Sequence, residues 1–166
     1  MSSEQSKFNI LIVCTGNTCR SPMAECALQH LLEKERQGKA KVSSAGMAAA
    51  DGYPATQYAI EAVRMWDLDL TDHQSRPLTE DLVRQSDLIL VMAPEHHRAV
   101  LNLDSEAAAR TFLLKSFPDN SPVGEDVEDP IGQSLETYNE TFLEIGEYLG
   151  KHLTEIVTRI DAGQNA

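Results

Sequence analysis

Residues 8–25 read FNILIVCTGNTCRSPMAE, and this stretch predicts a strand, a tight loop and a helix in succession. Its first six residues are almost all apolar, as expected of a buried strand in a parallel sheet. After the loop, Ser21 suits a helix N-cap and Pro22 suits the first helical position. Alanine and leucine then recur at helical spacing. The sequence therefore predicts a strand, loop and helix unit at the start of the domain.

The loop between these elements predicts a site for a tetrahedral oxyanion. The backbone N–H groups of residues 15–20 can turn inward, and the positive end of the following helix dipole adds to their field. Arg20 supplies a planar guanidinium that can bind two phosphate oxygens at once. The candidate loop residues are Thr15, Gly16, Asn17, Thr18, Cys19 and Arg20.

Cys14 is the candidate nucleophile of this site. A cysteine at a helix N-terminus beside an arginine can have its pKa lowered from about 8.5 to roughly 3.5–7.5. We therefore expect a thiolate placed beneath the bound phosphate and directed at phosphorus. Cys26 falls among alanines in the predicted helix, and a structural role is expected for it.

Residues 13–25 resemble the signature of the low molecular weight protein-tyrosine phosphatase family, and their motif is closest to its bacterial protein arginine phosphatase branch. Further segments stand in the family's order, namely residues 44–46, 72–76, 87–92 and 129–130. The resemblance implies one phosphatase domain over residues 8–162. A polar lead (1–7) and a polar tail (163–166) are expected to flank it.

The resemblance also implies roles for individual residues in a reaction through a cysteinyl-phosphate. Cys14 attacks, Arg20 stabilises the charge on the phosphoryl oxygens, and Asp129 protonates the leaving group. Only the Asp-Pro resemblance distinguishes Asp129 from the other acids of its loop. The positions matching Asn17, Ser21, Ser44 and His73 form a supporting hydrogen-bond network in the family. Each also has a plainer interpretation as a turn, a cap or a surface residue.

The resemblance leaves two candidate substrates, phosphoarginine and phosphotyrosine on proteins. Phosphoarginine is slightly favoured, and phosphotyrosine is the alternative. Thr18 stands where phosphotyrosine-directed members often carry a larger aliphatic residue. Ile131 follows Asp-Pro where many of those members have a tyrosine to stack on a phenyl ring. Two other classes stay open, a thiol-dependent arsenate reductase and a non-catalytic phosphopeptide-binding module. The absence of a cysteine between residues 80 and 94 weakens the reductase hypothesis.

Three cysteines do not form a disulfide framework, and their spacing does not suggest zinc ligation. No metal and no cofactor is expected. Cys14 and Cys19 lie in one loop, so a reversible disulfide that protects the nucleophile is one hypothesis, and a buried thiol at position 19 is the other. Redox sensitivity is therefore expected of the enzyme.

Composition places the chain among globular proteins and excludes some partners. Its 166 residues are 42% hydrophobic and 24% charged, with a formal net charge of −12. Such acidity argues against binding a nucleic-acid backbone. No apolar run approaches a membrane span of roughly 20 residues. We expect a cytoplasmic monomer whose partners are phosphorylated proteins or peptides, with no nucleic acid and no membrane.

The remaining pattern alternates strands and helices, which predicts a twisted parallel sheet of four strands with helices on both faces. Ligands of such sheets bind beyond the carboxyl ends of the strands, where the loop after residue 13 would lie. The further predicted elements are strands at 41–46, 88–92 and 111–114, helices at 54–66, 78–83 and 95–101, and a long amphipathic helix from 134.

Overall fold

The computed structural model describes residues 6–164. Its elements, in chain order, are β1 (Phe8–Cys14), α1 (Arg20–Glu35), β2 (Ala40–Gly46), α2 (Gln57–Val63), α3 (Glu80–Gln85), β3 (Leu88–Val91), α4 (Pro94–Leu103), β4 (Thr111–Leu113) and α5 (Leu135–Gln164). Two 3₁₀ turns, Arg64–Trp66 and Ser105–Arg110, complete the secondary structure of this part of the chain.

The four strands form one parallel sheet in the order β2-β1-β3-β4, which confirms the predicted fold class. Side chains alternate between its two faces, so β1 contributes to a core on each side. Ile10 and Ile12 pack with α1, α2 and α5, whereas Leu11 and Val13 pack with α3 and α4. The chain leaves β1 at the sheet's centre. There the neighbouring strands β1 and β3 feed helices on opposite faces, an arrangement that opens a crevice.

Several predicted boundaries are wrong, and local hydrogen bonds explain the largest differences. Helix α1 begins at Arg20, and no side chain caps it, because the Ser21 hydroxyl bonds to atoms of the loop instead. The helix predicted from residue 54 begins only at Gln57, where the Thr56 hydroxyl accepts the Ala59 N–H, and its last turn is 3₁₀. The predicted cap at Thr79 is confirmed.

The structure describes only part of the two predicted polar ends. Helix α5 continues through Gly163 to Gln164, so the predicted polar tail begins inside a helix. Residues 1–5 of the predicted lead and residues 165–166 lie outside the described residues. Between residues 6 and 164, no helix is long and apolar enough to cross a membrane.

Gly46, the last residue of β2, lies directly against the loop that follows β1. A Cβ atom at this position would stand 2.4 Å from the Thr15 carbonyl oxygen and 3.0 Å from the Asn17 nitrogen. The next residues tie the two segments together, since the N–H groups of Met47 and Ala48 donate to the carbonyls of Cys14 and Thr15. The absence of a side chain at Gly46 therefore allows the loop to reach its observed position.

We expect Gly46→Ala to lower the free energy of unfolding by about 1–3 kcal/mol, because the added methyl meets backbone atoms that cannot turn aside. Urea denaturation measures the effect. Gly150→Ala is the matched control: its added Cβ meets nothing within 4 Å on α5, so it should raise the stability by roughly 0.5–1 kcal/mol. Equal stability of the two variants would contradict this account of Gly46.

Candidate active site

The predicted phosphate-binding loop lies at the carboxyl edge of the sheet, between β1 and α1. It shares a small pocket with the segment that precedes α5. The pocket is lined by Cys14, Gly16, Asn17, Thr18, Cys19, Arg20, Asp129 and Ile131. The fold thus brings the predicted catalytic and specificity residues from distant parts of the chain into one place.

Asn17 is at the centre of the hydrogen bonds that hold the loop. Its backbone is left-handed, with φ of 58°, and its side chain is fully buried. The side-chain N–H₂ donates to Ser21 Oγ at 2.8 Å and to Ser44 Oγ at 2.9 Å. The backbone carbonyl oxygen of Asn17 lies 2.7 Å from His73 Nε2. All four predicted supporting residues therefore meet in the structure.

Arg76 and Glu25 also belong to this network, although the sequence analysis assigned them no role in it. The backbone N–H of Arg76 donates to Asn17 Oδ1 at 2.9 Å, and the Ser44 hydroxyl donates to a carboxylate oxygen of Glu25 at 2.7 Å. Burial raises the pKa of Glu25, while the hydrogen bond from Ser44 opposes that rise. Glu25 belongs to the quoted motif, so the motif itself offered a signal. Arg76 also joins the network through its side chain, because its Nε donates to the Ser44 carbonyl at 2.9 Å. It lies in the segment 72–76, which stands in the family's order, so that segment offered a signal as well.

The Cys14 sulfur is buried and accepts hydrogen bonds at the base of the pocket. Ser21 Oγ lies 2.7 Å from it, and the Asn17 N–H donates to it at 3.3 Å. Because Asn17 donates to Ser21 Oγ, the Ser21 hydroxyl hydrogen is free to be donated to the sulfur.

The expected lowering of the thiol pKa is wrong for this structure. Burial raises the pKa of Cys14, and this effect exceeds the lowering by the bonds from Ser21 and Asn17 and by the charge of Arg20. The sequence analysis weighed only the groups that favour the thiolate, because the burial of the sulfur depends on the whole fold.

Arg20 is held from two sides at the pocket. Its guanidinium is nearly buried: Nη1 donates to the Val127 carbonyl at 2.9 Å, and Nη2 donates to Thr15 Oγ1 at 3.3 Å. Nη2 also lies 3.5 Å from a carboxylate oxygen of Asp129. The other Asp129 oxygen accepts the Ile131 N–H at 3.1 Å, which fixes the carboxylate over the pocket rim.

His96 is a residue of the site that the sequence analysis missed. It lies near the start of α4, it is fully buried, and its Nε2 atom is 2.9 Å from Thr15 Oγ1. Burial and the nearby Arg20 charge lower the pKa of His96 to about 4, so its ring is neutral at pH 7. The available signal was topological, because α4 follows the strand next to β1.

The three cysteines have different surroundings. Cys14 and Cys19 are both free and buried, so the proposed disulfide between them stays a prediction. The Cys19 sulfur lies 3.2 Å from Tyr138 Oη and 3.6 Å from Thr56 Oγ1. Cys26 is half-buried outside the pocket, and burial raises its thiol pKa to about 11. Residues 6–164 contain no cluster of three or more histidine, cysteine or acidic side chains arranged to hold a metal ion.

Comparison with known proteins agrees with this site. The protein-arginine-phosphatase of Bacillus subtilis is 38% identical over 142 residues, covering 86% of this chain and 92% of that protein. The low molecular weight protein-tyrosine-phosphatase Etp of Escherichia coli is 34% identical, covering 83% of this chain and 88% of that protein. Both relatives are named as phosphatases, so the comparison does not favour the arsenate reductase alternative.

Solved structures with the same fold include a mutant of Bacillus subtilis YwlE, with a TM-score of 0.82, 35% identity, and coverage of 90% of this chain and 99% of that one. Another is Vibrio vulnificus Wzb in complex with benzylphosphonate, with a TM-score of 0.79, 36% identity and the same coverage. The sequence model of the low molecular weight phosphotyrosine protein phosphatase family matches residues 9–162 of this chain. The chain therefore belongs to the low molecular weight phosphotyrosine protein phosphatase family.

Proposed function

We propose that this protein hydrolyses phosphorylated side chains of proteins through a phosphate ester of Cys14, with phosphoarginine as its preferred substrate. The observation that carries the proposal is the shared pocket. It brings the Cys14 sulfur, the Arg20 guanidinium and the Asp129 carboxylate together at the loop that leads into α1, where the Asn17 N–H donates to the sulfur. Such a loop binds an oxyanion through N–H groups and the helix dipole.

The chemical steps follow from these three groups. In the reactive form the proton of the Cys14 thiol has moved to the Asp129 carboxylate, which lines the same pocket. The resulting thiolate attacks phosphorus, a P–S bond forms, and the bond from phosphorus to the leaving nitrogen or oxygen breaks. The protonated Asp129 carboxyl gives its proton to that leaving atom. Water then attacks the phosphorus of the cysteinyl-phosphate while the Asp129 carboxylate accepts a proton. The P–S bond breaks, and inorganic phosphate and the thiolate are released.

Arg20 acts on the phosphoryl group during both transfers. Two of the three guanidinium nitrogens can bind two equatorial oxygens and offset the charge that develops on them. The contacts to Val127 and Thr15 hold the guanidinium before substrate arrives. Little reorganisation is then needed at the moment of reaction.

Two positions support phosphoarginine over phosphotyrosine. Ile131 is 56% exposed on the pocket rim, where an aromatic residue would be needed to stack on a phenyl ring. Thr18 lines the same pocket with a hydroxyl that can accept an N–H of a guanidinium. The names of similar proteins support the same choice, since the Bacillus subtilis and Geobacillus stearothermophilus relatives are protein-arginine-phosphatases.

The Ser21 hydroxyl should set the pH at which Cys14 reacts. Its hydrogen bond lowers the thiol pKa, so Ser21→Ala should raise that pKa further. The midpoint of iodoacetamide alkylation against pH then moves upward, and the rate at pH 7 falls. Tandem mass spectrometry assigns the label to Cys14. Ser43→Ala, whose hydroxyl has no hydrogen bond to the loop within the described residues, is the control, and an equal shift in it would refute the assignment.

Asp129→Asn should lower kcat about 10²- to 10⁴-fold, because the amide cannot transfer a proton to the leaving group. Steady-state kinetics on a phosphorylated peptide measures the loss. Glu128→Gln is the matched control, since it removes the neighbouring charge from the same exposed segment. If both variants lose the same activity, the effect belongs to the charge of the loop and not to proton transfer by Asp129.

Initial rates on matched phosphoarginine and phosphotyrosine peptides test the substrate, with a reductant and a chelator present. We expect faster turnover of phosphoarginine and no turnover of either peptide by Cys14→Ser. Thr18→Ile removes the hydroxyl, so it should shift the ratio of the two kcat/KM values toward phosphotyrosine by about tenfold, the worth of one hydrogen bond. Preference of the unmodified protein for phosphotyrosine, or parallel changes on both peptides in Thr18→Ile, would reject the phosphoarginine assignment.

A further inference from the structure

His96 contacts the phosphate-binding loop from a different part of the fold. Thr15 follows β1 and His96 follows β3, and these neighbouring parallel strands bring both residues to one edge of the sheet. The His96 ring is completely buried, and its only hydrogen bond in the described chain joins Nε2 to Thr15 Oγ1 at 2.9 Å. A buried polar ring with one partner is well suited to fix the state of that partner.

The direction of this hydrogen bond can be inferred from what surrounds it. If Thr15 donated to Nε2, the ring hydrogen would sit on Nδ1, which has no partner in the described structure. A buried N–H without an acceptor is rarer than a buried acceptor without a donor. Nε2 therefore carries the hydrogen and donates it to Thr15 Oγ1. The ring is neutral at pH 7, since its pKa is lowered to about 4.

Thr15 Oγ1 is also the acceptor for Arg20. Nη2 of Arg20 donates to it at 3.3 Å, so the hydroxyl oxygen accepts from the guanidinium and from His96 together. The remaining contact of Nη2 is with Asp129, whose side chain is 40% exposed and which lies 3.5 Å away. Thr15 is thus the half-buried acceptor that holds the nitrogen nearest the proposed acid.

We propose that His96 is a positioning residue for oxyanion binding: it donates from Nε2 to the Thr15 hydroxyl, keeps that oxygen as an acceptor for Arg20 Nη2, and so fixes the guanidinium over the loop. The inference rests on the proposed function of the loop as a phosphate site. His96 does not touch the substrate in this scheme. Its effect reaches phosphate only through Thr15 and Arg20.

A double-mutant cycle with inorganic phosphate as the probe tests this chain of contacts. His96→Phe keeps a ring but removes the donor, and Thr15→Val removes the hydroxyl. Each single variant should weaken phosphate binding about tenfold, as expected for one hydrogen bond. The double variant should be no weaker than either single variant, because both changes break the same path. Protection of Cys14 from iodoacetamide gives the dissociation constant.

Two further variants separate positioning from packing. His96→Gln retains an N–H donor and should bind phosphate within about threefold of the unmodified protein. His97→Phe changes the adjacent histidine, which is equally buried but has no hydrogen bond to the loop within residues 6–164, and it should bind phosphate normally. Should His96→Phe fail to fold, the cycle is run with His96→Ala, and thermal unfolding confirms that each variant is native.

The outcomes distinguish this inference from the proposed function. Coupled losses in the cycle, with rescue by His96→Gln, support the positioning role. Normal phosphate binding by His96→Phe, additive losses in the cycle, or an equal loss in His97→Phe would each overturn it. Failure of the unmodified protein to bind phosphate would instead overturn the phosphate-site assignment on which it rests.

Discussion

The left-handed backbone of Asn17 is the constraint on which the rest of the site depends. Asparagine tolerates this conformation better than most residues, and here every polar atom of its side chain is hydrogen-bonded. Those bonds extend to α1 through Ser21, to β2 through Ser44 and to the segment before α3 through Arg76. The curvature of the loop is therefore enforced by three separate elements, and Gly46 leaves the space in which that curvature fits.

The same network sets the surroundings of Cys14, the proposed nucleophile. A sulfur at the base of a closed loop loses water, which disfavours its charged form and raises its pKa. The Ser21 hydroxyl and the Asn17 amide replace part of that lost solvation with fixed donors. Because these donors are tied down elsewhere, they need not reorganise when phosphorus is attacked. Burial of the thiol and the fixed position of its two donors are therefore consequences of the same closed loop.

Local sequence predicted the features that depend on neighbouring residues, and it failed where distant contacts override them. Strand β1, the loop and the Thr79 cap follow from periodicity and residue type over a few positions. The local pattern alone assigns Ser21 to a helix cap, because nothing local shows that Cys14 and Asn17 use its hydroxyl; only the family resemblance pointed to the network. His96 was missed for the same kind of reason: its partner lies on another strand, and only the strand order brings the two together.

The acidity of the chain and the proposed anion site are compatible because they act over different distances. Surface charges are screened beyond a Debye length of about 8 Å at physiological ionic strength, whereas buried donors in the loop act at contact. Acidic residues near the Asp129 segment, including Glu125, Asp126 and Glu128, line a neighbouring surface pocket. These carboxylates oppose extra negative charge and favour cationic groups in a peptide that lies along this surface. A phosphorylated guanidinium meets both conditions better than a phosphorylated phenol, because it offers N–H donors to carboxylates as well as a phosphoryl group to the loop.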